Sequence, residues 1–320
     1  MSAELFIRNG DKMYNPAVLD GVTWQSERCG TPSKLTFKVV QDDILKIEEG
    51  NAVRFTWNGQ NVFYGFIFSL KRDKENIVTV TAYDQLRYLK NKDVYVYYNK
   101  TASEVLTMIA NDFNLKLGNV DDTQYKIPYR TEDNKTLFDI IQTALDLTMA
   151  NKKELYILYD DFGKITLRKL DNMRLNILID EETAENFSYT SSIDEATYNK
   201  IKLYHENKDT GKRDVYIAQS GENINKWGIL QYLDKLQKGE NGKAKADALL
   251  KLYNQKTKKL TIKNAIGDVR VRAGSLIGIR LNLGDTIIIN NYMLVESCKH
   301  EFGLDEHFMN ITVRGGEFVG

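Results

Sequence analysis

The sequence predicts an α+β fold that is mainly β. Three observations predict it. Apolar residues alternate with period two near both ends of the chain, two amphipathic helical stretches lie between those ends, and there are 21 Gly beside only 3 Pro, a balance that suits strands joined by glycine turns. At about 150 residues per domain, the length of 320 residues suggests two or three domains.

Residues 1–90 read as strands. Leu35, Phe37 and Val39 alternate with polar neighbours, as do Val53, Phe55 and Trp57. Asn58-Gly59 is a hairpin signal, because a tight primed turn needs φ > 0 at its centre. The strand that follows runs from Val62 to about Leu70. A charged turn, Lys71 to Asn76, leads into Ile77, Val78 and Val80. Short strands at this spacing predict a small sandwich or barrel.

A helix is predicted over 101–117. Thr101 and Glu104 form a capping box, each able to satisfy an orphan N–H. Ala102, Val105, Leu106, Ile109, Ala110 and Phe113 make one face. A second helix runs from about Thr136 to Met149 on the stripe Leu137, Ile140, Ile141, Ala144, Leu145 and Thr148, with Asn151 as its stop. Leu155, Ile157 and Tyr159, a turn at Asp160 to Lys164, and then Ile165 and Leu167 read as a hairpin.

Strands return at Ile201 and Leu203, and at Val215 and Ile217, with a loop at 207–212 between them. A helix pair is expected next. Ile224, Trp227, Leu230, Leu233 and Leu236 mark the first helix. Ala248, Leu249, Leu252 and Tyr253 mark the second, and Gly239-Glu240-Asn241-Gly242 is the linker. Residues 258–318 are strands again.

The two ends echo each other. Gly50-x-x-Val53-x-Phe55 recurs as Gly274-x-x-Ile277-x-Ile279, and each copy continues into an apolar strand, Phe63 to Leu70 or Tyr292 to Ser297. A charged loop and a last alternating strand follow, with Val78 and Val80 against Ile311 and Val313. Glycine at a strand entrance marks a bend or bulge. A duplicated module and two independent meanders both fit this pattern.

Composition narrows the function. Hydrophobic residues at 42% and charged residues at 28% are ordinary globular values. Lys+Arg and Asp+Glu are both 44, so the basic excess expected of a binder of nucleic-acid phosphates is missing. The N-terminus lacks the apolar stretch of a secretion signal, and no run approaches the roughly 18 apolar residues of a membrane span. Cys29 and Cys298 are too few for a disulfide framework and read as reduced thiols.

The chemical motifs are incomplete. Asp161-Phe162-Gly163 copies the kinase magnesium tripeptide without its companion motifs and reads as a hairpin turn. Gly239-Glu240-Asn241-Gly242-Lys243 lacks the spacing and the Ser/Thr of a phosphate loop. His300 and His307 do not have zincin spacing and His205 stands alone, so these read as surface or interface histidines. Glu132/Asp133, Asp160/Asp161 and Glu181/Glu182 are adjacent acids, read as solvated. No catalytic, cofactor or metal residue is assigned. Lysines 235, 238, 243, 245, 251, 256, 258, 259 and 263 face only Glu240 and Asp247 in the same stretch. That cluster is either a surface for an anionic partner or the solvated face of the helix pair.

Four segments in order carry a family resemblance: Thr101 to Phe113, Thr136 to Leu145 with Tyr159 to Lys164, Trp227 to Tyr232, and the glycine-led strands from Gly274. Together they resemble the baseplate hub proteins of contractile phage tails and tail-like bacteriocins, particularly PBSX-type prophage hubs related to late control protein D. The resemblance implies a tail-tube-like β-barrel at 1–95, a LysM-like helical insert at 96–128 and a small α+β middle domain at 129–188. It implies a second tube-like barrel at 189–320, carrying the helix pair at 223–257. It implies a non-enzymatic homotrimer whose six barrels form a pseudo-sixfold ring between tail tube and central spike. Such a chain is made in the host cytoplasm and assembled into the baseplate with the tube, spike and other baseplate proteins. The alternative is a cell-wall protein that binds peptidoglycan through the LysM-like stretch; a carbohydrate hydrolase is the weaker third reading.

Overall fold

A computed structural model describes residues 2–40, 42, 44–194, 196–206, 211–236, 241–283 and 288–314. It is mainly β, as the alternation predicts. Tyr189–Lys259 forms one compact unit, and the remaining chain forms the other.

The larger unit begins with β1 (Ala3–Asn9), β2 (Lys12–Tyr14), β3 (Val18–Glu27), β4 (Lys34–Val40), β5 (Ala52–Trp57), β6 (Gln60–Arg72) and β7 (Ile77–Tyr83). A 3-10 turn at Gln85–Lys90 leads to β8 (Lys92–Lys100), α1 (Ala102–Asp112), β9 (Leu117–Val120), β10 (Ile127–Thr136), α2 (Leu137–Lys152), β11 (Tyr156–Asp160) and β12 (Ile165–Lys169). β13 (Arg174–Asp180) and β14 (Ala184–Ser192) follow. The insertion carries β15 (Lys200–Glu206), β16 (Arg213–Gln219), α3 (Gly221–Trp227), β17 (Gln231–Lys235) and α4 (Gly242–Tyr253). β18 (Thr257–Ile266) returns the chain to the larger unit, followed by β19 (Leu276–Asn282), β20 (Ile288–Phe302) and β21 (His307–Arg314).

Strands from both ends of the chain join one 13-stranded sheet. Its path runs β14-β18-β21-β20-β3-β4-β7-β6-β5-β1-β2, with β19 and β13 branching from β20. Among the described residues this ladder does not close on itself as a barrel. Alternation decides which face is buried. Leu35, Phe37 and Val39 of β4 and Val78, Val80 and Ala82 of β7 turn inward with Val53, Phe55 and Ile67. The turn at Asn58 and Gly59 has φ of 49° and 73°, as the Asn-Gly pair predicts.

The two helices share one core. Val105, Leu106 and Ile109 of α1 pack with Leu137, Ile140, Ile141 and Ala144 of α2, over Tyr95, Tyr97, Ile165 and Leu167. The boundary expected at 128 therefore runs through a single hydrophobic cluster. The capping box forms: Thr101 Oγ1 accepts from Glu104 N, and Glu104 Oε2 accepts from Thr101 N. α1 stops at Asp112, earlier than predicted, because the chain turns through Asn114 at φ 52° towards β9. α2 continues past Asn151 and ends where Lys153 adopts φ 61°.

In the insertion, the first helix of the expected pair forms only over its first part. α3 ends at Trp227 because Gly228 takes φ 76°. Buried Asn199 then holds the outgoing backbone, donating to Gly228 O at 2.7 Å and accepting from Leu230 N at 2.9 Å. The chain is laid parallel to β15 as β17, so Leu233 is on a strand. α4 forms as expected, and packs Ala246, Leu249 and Leu250 over Ile201, Leu203 and Ala218.

Candidate functional site

The sequence echo is also an echo of backbone chemistry. Gly50 and Gly274 have φ of 89° and 93°, a region that favours glycine. Gly50 N donates to Ile67 O at 2.8 Å, and Gly274 N donates to Val295 O at 2.7 Å. Ile67 N and Val295 N return hydrogen bonds of 2.9 Å to Asn51 O and Ser275 O. The residue after each glycine is a buried polar side chain that accepts from the backbone three residues earlier. Asn51 Oδ1 takes Glu48 N, and Ser275 Oγ takes Arg272 N, both at 3.1 Å.

Next to that device each long strand bulges. The register of β6 with β7 slips between Ile67 and Ser69, and that of β20 with β21 slips between Val295 and Ser297. A bulge bends its strand and increases the local twist. Each long strand consequently serves two neighbours. β6 pairs with β5 along its first half and with β7 along its second, and β20 does the same with β19 and β21. The ladder β3-β4-β7-β6-β5 is thus matched by β14-β18-β21-β20-β19. The match ends at the next strand, because β1 is antiparallel to β5 whereas β13 is parallel to β19.

The two strand groups meet where β20 accepts β3. After its bulge, β20 pairs antiparallel with β3 from Ser297 opposite Glu27 to Phe302 opposite Val22. Trp24 stacks on His300 with ring centroids 5.0 Å apart. Arg28 Nε donates to Glu296 Oε2 at 2.8 Å, and Ala273 N donates to Ser26 Oγ at 3.0 Å. The Arg272 guanidinium lies over Trp24 and over Tyr159, and Nη1 donates to Asp160 O at 2.8 Å.

His300 and His307 correct the surface reading, since both are buried. His300 Nε2 lies 2.8 Å from Val271 O, and a carbonyl only accepts, so Nε2 carries the proton. The bare Nδ1 of neutral His300 then accepts from His307 Nε2 at 2.8 Å. Burial, with the His307 charge next, pushes His300 down to about 3; burial pushes His307 down to about 4. Their place was legible in period two: Cys298, His300 and Phe302 share one face of β20, and His307, Met309, Ile311 and Val313 share one face of β21. All are buried.

One member of each of two acidic pairs departs from the solvated reading, while Asp133 and Asp161 are exposed as expected. Glu132 is buried, held by Arg130 and Lys135 at 2.8 Å each. Asp160 is buried at the turn of the β11–β12 hairpin, where its Oδ1 accepts from Gly163 N. Burial raises its carboxyl to about 6. Asp84, beside it, is held well above the carboxylate range by burial and by the Asp160 charge. Glu181 and Glu182 are exposed, as expected. Asp161-Phe162-Gly163 is the hairpin turn expected, and Phe162 sits against Tyr64 and Arg54.

Other expected features are dispersed. Cys29 and Cys298 are both free, the first exposed and the second buried. In the lysine cluster, Lys235 pairs with Glu206 at 2.7 Å and Lys245 reaches Asp234 at 4.0 Å. Lys238 and the Gly239-Glu240 part of the linker lie outside the described residues, as do most of the 207–212 loop and the segment after Arg314. Beside α1 lies a groove of about 750 Å³ lined by polar residues that include Thr101, Glu104, Asp122 and Lys126, with no aromatic ring in its lining. Among the described residues no group of three or more His, Cys, Asp or Glu is placed to hold a metal ion, and no helix is long and apolar enough to cross a membrane.

The chain is 30% identical over 306 residues to the uncharacterized protein YqbQ of Bacillus subtilis, covering 92% of each chain. It is 28% identical over 320 residues to the phage-like element PBSX protein XkdQ of the same organism, covering 97% of this chain and 96% of that one. Its fold is similar to the crystal structure of the 43 kDa tail protein of prophage MuSo2 from Shewanella oneidensis. The TM-score is 0.72 at 11% identity, over 99% of this chain and 100% of that one. The family model described as YQBQ-like matches residues 22–314, and the chain belongs to that YQBQ-like family.

Proposed function

We propose that the chain is a structural baseplate hub of a contractile tail, three copies of which form a pseudo-sixfold ring between the tail tube and the central spike. The observation that carries this reading is the repeated strand group joined edge to edge within one chain. Repeated like interfaces are the way a closed ring is built, and two groups per chain let three chains supply six positions. Each group would act as a tube-like barrel completed in the assembly. The PBSX relative and the MuSo2 tail protein support a place in a tail particle. The partners are then the tail-tube protein, the spike and other baseplate proteins, and the role is structural, with no catalytic step. The particle is a phage or a tail-like bacteriocin, assembled after synthesis in the host cytoplasm.

Light scattering on purified chain tests this reading, with trimers expected, alone or on adding the spike protein. Monomers under both conditions would refute it. Electron microscopy of particles carrying a labelled chain should place the label at the tube–spike joint.

The groove beside α1 favours a second reading, in which this LysM-like segment binds peptidoglycan. A pull-down on purified cell walls checks it: retention lost on replacing Glu104 and Lys126 would support binding there, and no retention would remove it.

A further inference from the structure

The match between the two strand groups leaves one edge unanswered. In β20, the half after the bulge is paired on both sides, with β21 on one and β3 on the other. In β6, the corresponding half pairs with β7 alone among the described residues. Burial records the difference. On the matching face, Leu70 is only half-buried and Arg72 is exposed where Cys298 and His300 of β20 are buried.

The strand that would answer this edge exists in the same chain. β3 is hydrogen-bonded to β4, which pairs with β7; β14 is hydrogen-bonded to β18, which pairs with β21. β14 therefore holds the place of β3 in the second group, and among the described residues it ends the sheet with no strand beyond it. An open edge is a template for pairing with another chain.

We propose that the outer edge of β6 at Ser69–Lys71 takes β14 of a second copy in antiparallel register, as β20 takes β3 within the chain. This rests on the hub reading and names the interface that its ring would use. The contact is head-to-tail, so each copy offers one β6 edge and one β14 edge, and repetition closes a ring. Antiparallel pairing sets Lys71, at the end of β6, towards the entrance of β14, where Glu182 and Glu185 are exposed. The junction within the chain is sealed by a Trp–His stack, while the junction between chains would draw on opposite charge.

Cysteine pairing tests the edge. In a Cys29→Ser background, Ser69→Cys is combined with one cysteine at a time across positions 185–190. The whole chain is then oxidised and run without reductant. The expected result is an intersubunit disulfide at one register, giving a ladder that ends at three chains, with none from Ser69→Cys alone. Trimers by light scattering with no crosslink at any of the six positions would overturn the β6–β14 interface and leave the hub reading standing. Chains that stay monomeric, with or without the spike protein, would overturn both.

Discussion

Two imidazoles buried side by side resist protonation, and that couples the junction to pH. His300 and His307 have pKa values lowered from 6.5 to about 3 and about 4, with burial the main cause. The unfolded chain therefore binds protons that the folded chain refuses. Their stabilising contribution is complete above pH 6.5 and is lost as pH falls towards 4 and 3. The charged neighbours are Arg272, which opposes protonation, and Asp268, which favours it. Melting temperature should fall from pH 7 to pH 4.5, and less so in a His300→Gln/His307→Gln double variant. An equal fall in both would remove the histidines as the cause. Asp160 has the opposite sign. Its carboxyl, raised to about 6, makes the folded state the better proton acceptor between pH 3.8 and 6, so its cost builds as pH rises from 3.8 and is complete above 6. Asp160→Asn keeps the acceptor for Gly163 N and should raise the melting temperature at pH 8, with little change at pH 3.5. Sequence spacing could not separate Asp160 from Asp161, because what separates them is packing contributed by distant segments.

At the scale of elements, the glycine-led bends show how one local device meets two surroundings. A Cβ at Gly50 would meet open space, while one at Gly274 would overlap Ile157. Both substitutions must strain a positive φ. Gly50→Ala should cost about 1 kcal/mol from backbone strain, and Gly274→Ala should cost more, since a buried neighbour must also move. Urea unfolding of the two variants checks the order. Thr101→Ala removes the cap of α1 and should cost about 1 kcal/mol in the same assay. The cap, the helical stripes, the Asn-Gly turn and most strands were legible because each depends on a few neighbours in sequence. The stretch Ile224 to Leu236 was misread because its leucine spacing suits a helix. Gly228 and the distant Asn199 end the helix at Trp227 and make Gln231–Lys235 a strand instead.

For the whole molecule, the decisive contact joins residues 22–27 to residues 297–302. Trp24→Ala at this seam should destabilise by about 3–5 kcal/mol, the range for removing a buried aromatic side chain, measured by urea unfolding. A loss under 1 kcal/mol would mean that the stack on His300 contributes little. By itself the sequence determined the mainly β class, the two helical faces and the repeat of a glycine-led strand entrance, since periodicity and turn chemistry are local. Only the tertiary structure decided that both ends enter one sheet, that β20 serves both strand groups, and that Asp160 is buried. Those outcomes depend on edges and faces meeting across hundreds of residues, and no short window of sequence contains that information.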